Sequence, residues 1–126
     1  MRIEDEIKLT FDDVLIRPKR STLVSRSEVD LTRDFKFKYT SITWSGVPII
    51  SANMDTTGTF ETAKSLEKYG ILTAIHKFYS LKDWEDNLKN LNPKYVIVTV
   101  GSSDEEFNKA KNIFKLNNEL DFLCLG

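Results

Sequence analysis

Four short apolar runs in this 126-residue chain each give way to a different, mostly polar stretch, and these tails hold most of the side chains able to bind or react. After the first run come Ser51, Ala52, Asn53, Met54, Asp55 and Thr56; after the second, His76, Lys77, Phe78 and Tyr79; after the third, Gly101, Ser102 and Ser103. Lys77 either offers a cation to a phosphate or polarised group, or is a solvated loop lysine. His76 is of the residue type that suits acid–base work, but a lone histidine at a strand end reads better as a hydrogen-bonded structural residue. Asp55 can pair with a base or hold its own loop, and the loop role is the plainer one. Upstream, Arg17, Lys19 and Arg20, followed by Ser25 and Arg26, form a basic stretch whose guanidinium forks suit phosphate oxygens; its bland reading is a solvated extension.

Several chemistries are absent from the sequence. Cys124 is the single cysteine, so no internal disulfide or zinc cluster is available. It lies inside the apolar run 122–125 and reads as a core residue rather than a nucleophile. With one histidine, no Gly-x-Gly-x-x-Gly and no Walker loop, no catalytic residue and no metal ligand is assigned. Lys and Arg total 18 against 19 Asp and Glu, a balance with no net field to draw the chain to nucleic acid or an anionic membrane. No apolar stretch reaches the roughly 18 residues of a membrane span. Residues 1–8 alternate charged and apolar side chains, unlike a signal peptide, so a cytoplasmic protein is expected.

The tails need elements to hold them. The runs 47–50, 71–75, 95–100 and 122–125 are rich in large apolar residues and apolar on both alternating faces, as buried parallel strands are. Their starts lie 24 to 27 residues apart, room for a strand, a helix and two turns. The intervening chemistry predicts helices. One covers about 60–69 and stops at Gly70. A second opens on the pair Ser80 and Asp83 and shows Leu81, Trp84, Leu88 and Leu91 on one face before Pro93. A third opens on Ser103 and Glu106 with Phe107, Ala110, Ile113 and Phe114 as its apolar stripe. Residues 1–46 read as an extension packed on this domain, with Leu9, Phe11, Val14, Leu15 and Ile16 forming a short hairpin or an extended clip. The fold class is α/β. Because the sequence stops directly after the fourth run, leaving an unpaired edge, residues 47–126 are expected to be the first half of a (β/α)8 barrel.

Three stretches, LTFDDVLIRPKRSTLVSRSEVDLTRDF, SGVPIISANMDTTGTFETAKSL and ILTAIHKFYSL, resemble the N-terminal part of GMP reductases, a branch of the IMP dehydrogenase and GMP reductase superfamily. IMP dehydrogenases share the LTFDDVL opening and a related MDT segment, while RPKRSTLVSRSEVDLT and NMDTTGTF are similar to the reductase branch. The resemblance implies a (β/α)8 barrel in a homotetramer, in which NADPH reduces GMP to IMP with release of ammonia. It implies NADPH contacts for Ser25, Arg26 and Lys77, the last often at a neighbouring subunit's site, and places Met54 near the substrate base. The family's nucleophilic cysteine sits on a glycine-rich loop after the sixth strand, beyond these 126 residues, so the chain alone is expected to be inactive. The family's fourth strand ends in Asp-Val-Ala; here Leu125 is followed by Gly126, and the match thins between Leu91 and Leu120. Other readings remain: an IMP dehydrogenase-type member, a non-catalytic remnant that associates with itself or a full-length relative, or an unrelated phosphate-binding barrel.

Overall fold

The computed structural model describes residues 5–126. Residues 1–4, part of the 1–46 extension and of the 1–8 start, lie outside the described residues. Residues 5–41 are exposed, with Phe11 and Leu15 almost wholly in solvent, so the expected packing of the extension on the domain is seen only in its last part, where Arg33–Lys36 pairs with the sheet and Trp44 is buried. Nor is 9–16 a hairpin. Thr10 donates from its N–H and its hydroxyl to Asp13 Oδ2 at 2.8 and 2.9 Å, which closes a single 3-10 turn at Phe11–Asp13 before the chain runs extended at Val14. The extended alternative is the one observed.

The hairpin comes later. Strand β1 (Arg33–Lys36) pairs antiparallel with β2 (Thr43–Ser51), from Arg33 opposite Gly46 to Lys36 opposite Thr43. Phe35 sets its ring 5.9 Å from that of Trp44, and Phe37 meets Phe122 edge-on at 5.7 Å. Aromatic cross-strand contacts of this kind hold a short pair together. The first parallel strand therefore begins at Thr43, four residues before the apolar run that marked it.

Beyond β2 the chain is regular. Strands β3 (Ile71–Ile75), β4 (Val96–Val100) and β5 (Phe122–Leu125) add in sequence order, each parallel to the last, giving one five-stranded sheet ordered β1-β2-β3-β4-β5. A register shift between Val47 and Ile50 bends β2 where it meets β3. Helices α1 (Phe60–Leu66), α2 (Leu81–Asn87) and α3 (Asp104–Leu116) fill the crossovers. Their ends follow local chemistry. Thr59 caps α1 by accepting from Thr62 N–H, and the helix tightens into a 3-10 turn at Glu67–Tyr69 that Gly70 terminates with φ of 69°. Ser80 and Asp83 form the full reciprocal box on α2. On α3 only half of the expected box forms: Ser103 accepts from Glu106 N–H, but the Glu106 carboxylate turns instead to Gly101.

One core lies between the helices and the sheet. Trp84, Ile75, Val98, Val100 and Ile113 are fully buried there, and Phe60 meets Trp84 edge-on at 5.1 Å. Burying side chains of this size contributes roughly 1.5–3 kcal/mol each. The expected α3 stripe holds for Ala110 and Ile113 and partly for Phe114, whereas Phe107 is exposed because it falls outside the arc that faces β4. The opposite face carries a smaller cluster of Trp44, Leu72, Ala74 and Ile97, with Phe122 and Cys124 packed against it. The middle strands are thus covered on both faces, as expected, while Ile49 and Ile50 of β2 and Leu125 of β5 are more than half exposed.

Candidate functional site at the strand carboxyl ends

The loop after β2 is held by its own backbone. Gly58 donates to Met54 O at 2.7 Å, Thr57 Oγ1 donates to Ala52 O at 3.0 Å, and Gly58 O accepts from His76 N–H at 2.8 Å. A Cβ at Gly58 would lie 2.3 Å from Ala74 O, so only glycine lets this loop rest on the end of β3. The arrangement leaves Met54 and Asp55 exposed at the turn and points the Asn53 amide inward, 3.8 Å from Cys124 Sγ. Cys124 is half-buried on the inner face, a partner of an amide rather than of a base.

After β3, His76 is buried and stacks on Tyr79 with ring centres 4.1 Å apart. Its Nδ1 has no hydrogen-bond partner, contrary to the expectation of a satisfied structural histidine. Thr99 Oγ1, on the inner face of β4, is likewise buried and unpartnered. A buried polar atom left without a partner costs about 1–3 kcal/mol. Lys77 is half-buried, and its ammonium has no partner among the described residues. The α2 start beside it is fixed by Asp83, whose carboxyl is held below its usual range by the Ser80 hydroxyl and then by the Ser80 N–H.

Lys77, Phe78, Gly101, Ser102, Ser103 and Lys109 line a cleft of about 530 Å³ between this loop and the turn into α3. The unpaired Lys77 cation and two serine hydroxyls can donate to a phosphate there, while the Glu106 carboxylate that also lines the cleft is tied to Gly101 and Lys109. Lys109 is a site residue that the sequence reading does not single out, although its place three residues after Glu106 is the spacing of a helical ion pair.

Ser25 and Arg26 are elsewhere. Ser25 caps the 3-10 turn Arg26–Glu28, its hydroxyl 2.8 Å from that of Ser27, and both residues are exposed on the 5–41 segment. Of the four residues singled out as nucleotide contacts, Met54 and Lys77 share the carboxyl-end rim of the sheet, and Ser25 and Arg26 make their hydrogen bonds within their own turn.

Parallel strands in sequence order, helices on one face and polar loops gathered at the carboxyl ends define part of an α/β barrel, a fold in which ligands gather at this rim. The chain belongs to the IMP dehydrogenase / GMP reductase domain family, whose family model matches residues 8–121. It is 56% identical to the GMP reductase of Vibrio parahaemolyticus and 57% identical to that of Buchnera aphidicola subsp. Acyrthosiphon pisum, in each case over 99% of this chain and 37% of the relative. The crystal structure of inosine 5′-monophosphate dehydrogenase from Legionella pneumophila matches with a TM-score of 0.69 at 31% identity, over 92% of this chain and 34% of that one. The chain thus spans about 37% of the length of the curated relatives it matches. Among the described residues no helix is long and apolar enough to cross a membrane.

Proposed function

We propose that this chain is the front part of a GMP reductase-type barrel, whose reaction is the NADPH-dependent reductive deamination of GMP to IMP. The observation that carries the reading is the unpartnered Lys77 ammonium on the cleft beside Ser102 and Ser103. The reductase branch is favoured over the dehydrogenase branch by identities of 56 and 57% against 31%. NADPH, when bound, supplies the hydride. The chain's own residues bind and orient. Lys77 neutralises a cofactor phosphate, with Ser25 and Arg26 as further phosphate donors from the extension. Met54, exposed at the turn after β2, lies against the purine as an adaptable apolar contact. A tetramer, as the family resemblance implies, gives the exposed extension a neighbouring subunit to reach.

The experiment is a thermal-shift comparison on the 126-residue chain. NADPH and GMP raise the melting temperature and sugar phosphates do not; the reverse ranking identifies a different phosphate-binding barrel. Mixed with both nucleotides, the chain consumes no NADPH, and turnover that disappears on changing Cys124 to Ser overturns the assignment of the nucleophile to a later loop.

A second reading, association with another copy or a full-length relative, is favoured by the inner face. Phe35, Trp44, Pro48, Ile50, Leu72 and Phe122 line an apolar groove of about 290 Å³ there, and β5 has an unpaired outer edge among the described residues. Sedimentation that shows a folded monomer at micromolar concentration removes it.

A further inference from the structure

The cleft beside Lys77 contains an ion arrangement that nucleotide contact alone does not explain. Lys109, in the second turn of α3, donates from Nζ to the main-chain carbonyl of Lys77. Its charge faces Glu106 Oε1 at 3.7 Å, and the second carboxylate oxygen of Glu106 accepts from Gly101 N–H at 3.2 Å. The Lys109 and Glu106 side chains are only 20% and 27% exposed, so solvent screens them less than an ordinary surface pair. A continuous link therefore runs from the loop after β3, through α3, to the turn after β4, and it crosses the floor of the cleft.

The charges are not equivalent. Lys109 is matched by Glu106 and committed to a carbonyl, while Lys77 has no partner among the described residues. A lysine gives up much rotamer and backbone freedom when it engages a ligand, and fixing its main chain beforehand lowers that loss. We propose that Lys109, held by Glu106, is a positioning residue that anchors the Lys77 main chain and so aims the Lys77 ammonium at a dinucleotide phosphate in the cleft. The inference rests on the reading of Lys77 as a cofactor contact and adds Lys109 and Glu106 to it. A purely structural staple has a different signature: it changes stability without making its effect on binding depend on Lys77.

NADPH is titrated into the 126-residue chain, with cofactor fluorescence as the readout, for the native sequence, Lys77→Ala, Lys109→Met, Lys109→Arg and the double variant Lys77→Ala/Lys109→Met. Lys77→Ala weakens binding about tenfold, as expected for loss of a charge-assisted contact. Lys109→Met weakens it about fivefold through lost pre-organisation, and Lys109→Arg, which keeps charge and donor, stays within about twofold. The double variant binds no worse than Lys77→Ala alone, since a positioning residue has nothing left to position. If Lys109→Met does not fold, Glu106→Gln takes its place, with about a threefold weakening that vanishes in the Lys77→Ala background. A native chain that ignores NADPH sinks the cofactor reading itself. A native chain that binds, with Lys109→Met and Glu106→Gln equal to it, or with single effects that multiply in the double variant, overturns the positioning role and leaves the cofactor reading standing.

Discussion

The two rims of the sheet differ in how fully their polar groups are matched. At the amino ends of the strands, polar groups find partners across elements. Trp44 Nε1 donates to Lys94 O at 2.9 Å, Val47 N–H donates to Gly70 O at 2.8 Å, and Lys64 donates to both Glu67 at 2.7 Å and Asn90 O at 2.6 Å. At the carboxyl ends, Lys77, His76 Nδ1 and Thr99 Oγ1 have none among the described residues. Among the described residues, Thr73, in the middle of β3, is the one unpartnered buried hydroxyl that belongs to neither rim. Both rims are tied across elements, the carboxyl rim by His76 N–H to Gly58 O and by Lys109 Nζ to Lys77 O, so what separates them is the set of polar atoms left without a partner, which gathers where strand ends carry ligands in barrels of this kind.

The comparison breaks first at the amino rim if it is wrong. Trp44 is 4% exposed, contacts Phe35 and Tyr95, and carries the Lys94 hydrogen bond. Trp44→Ala should cost about 3–5 kcal/mol, read as a fall in the urea midpoint at unchanged slope. A loss below about 1 kcal/mol means that this rim does not hold the sheet.

Gly58 tests whether the carboxyl rim is held in the same way. Its loop rests on Ala74 O with no room for a side chain, so Gly58→Ala should cost about 1–3 kcal/mol and displace Met54, seen as a shifted methyl resonance. A stable variant with the Met54 signal unmoved shows that the loop is held by something other than that close approach.

Thr99 sharpens the contrast from the other side. Its hydroxyl is buried without a partner, so Thr99→Val should raise the stability of the ligand-free chain by about 1 kcal/mol and reduce the melting shift that nucleotides produce. Destabilisation by that substitution shows that the hydroxyl is already satisfied and that the carboxyl rim is not as open as described.

How much of this was legible depended on the distance over which each feature is decided. Gly70, the Ser80–Asp83 box and the run 122–125 depend on neighbours a few residues away, and each matches its element. Two features have local causes that a pattern of apolar residues does not reveal: Asp13 closes a 3-10 turn at Phe11–Asp13 within the otherwise extended 9–16, and Glu106 bonds Gly101 rather than completing its own cap. The β1–β2 hairpin carried a signal in Phe35 and Phe37, two residues apart, but the rings that receive them come from Trp44 and Phe122. The Lys109 contact joins residues 32 apart and exists only after two crossovers have formed. The side chains of the candidate site were visible as types; their relative positions are a product of the assembled sheet.

The smallest expected effect lies in the amino-rim clamp and is set by pH. Burial pushes the Glu67 carboxyl up, but the Lys64 ammonium and the Asn92 N–H, which donates to it at 2.7 Å, outweigh burial and leave it below its ordinary value. A carboxyl lowered on folding favours the folded state above its unfolded value, near about 4.3, and loses that contribution as pH falls through the lower folded value. The clamp should therefore be at full strength at neutral pH and fade below about pH 4. Lys64 is 59% exposed, so water screens the pair and the total should not exceed about 1 kcal/mol. Glu67→Gln should lower stability slightly at pH 7 and match the native chain at pH 3, compared by urea denaturation at both values. A gap between the two proteins that is the same at both pH values removes the charge from the explanation and leaves the amino rim held by rings and backbone alone.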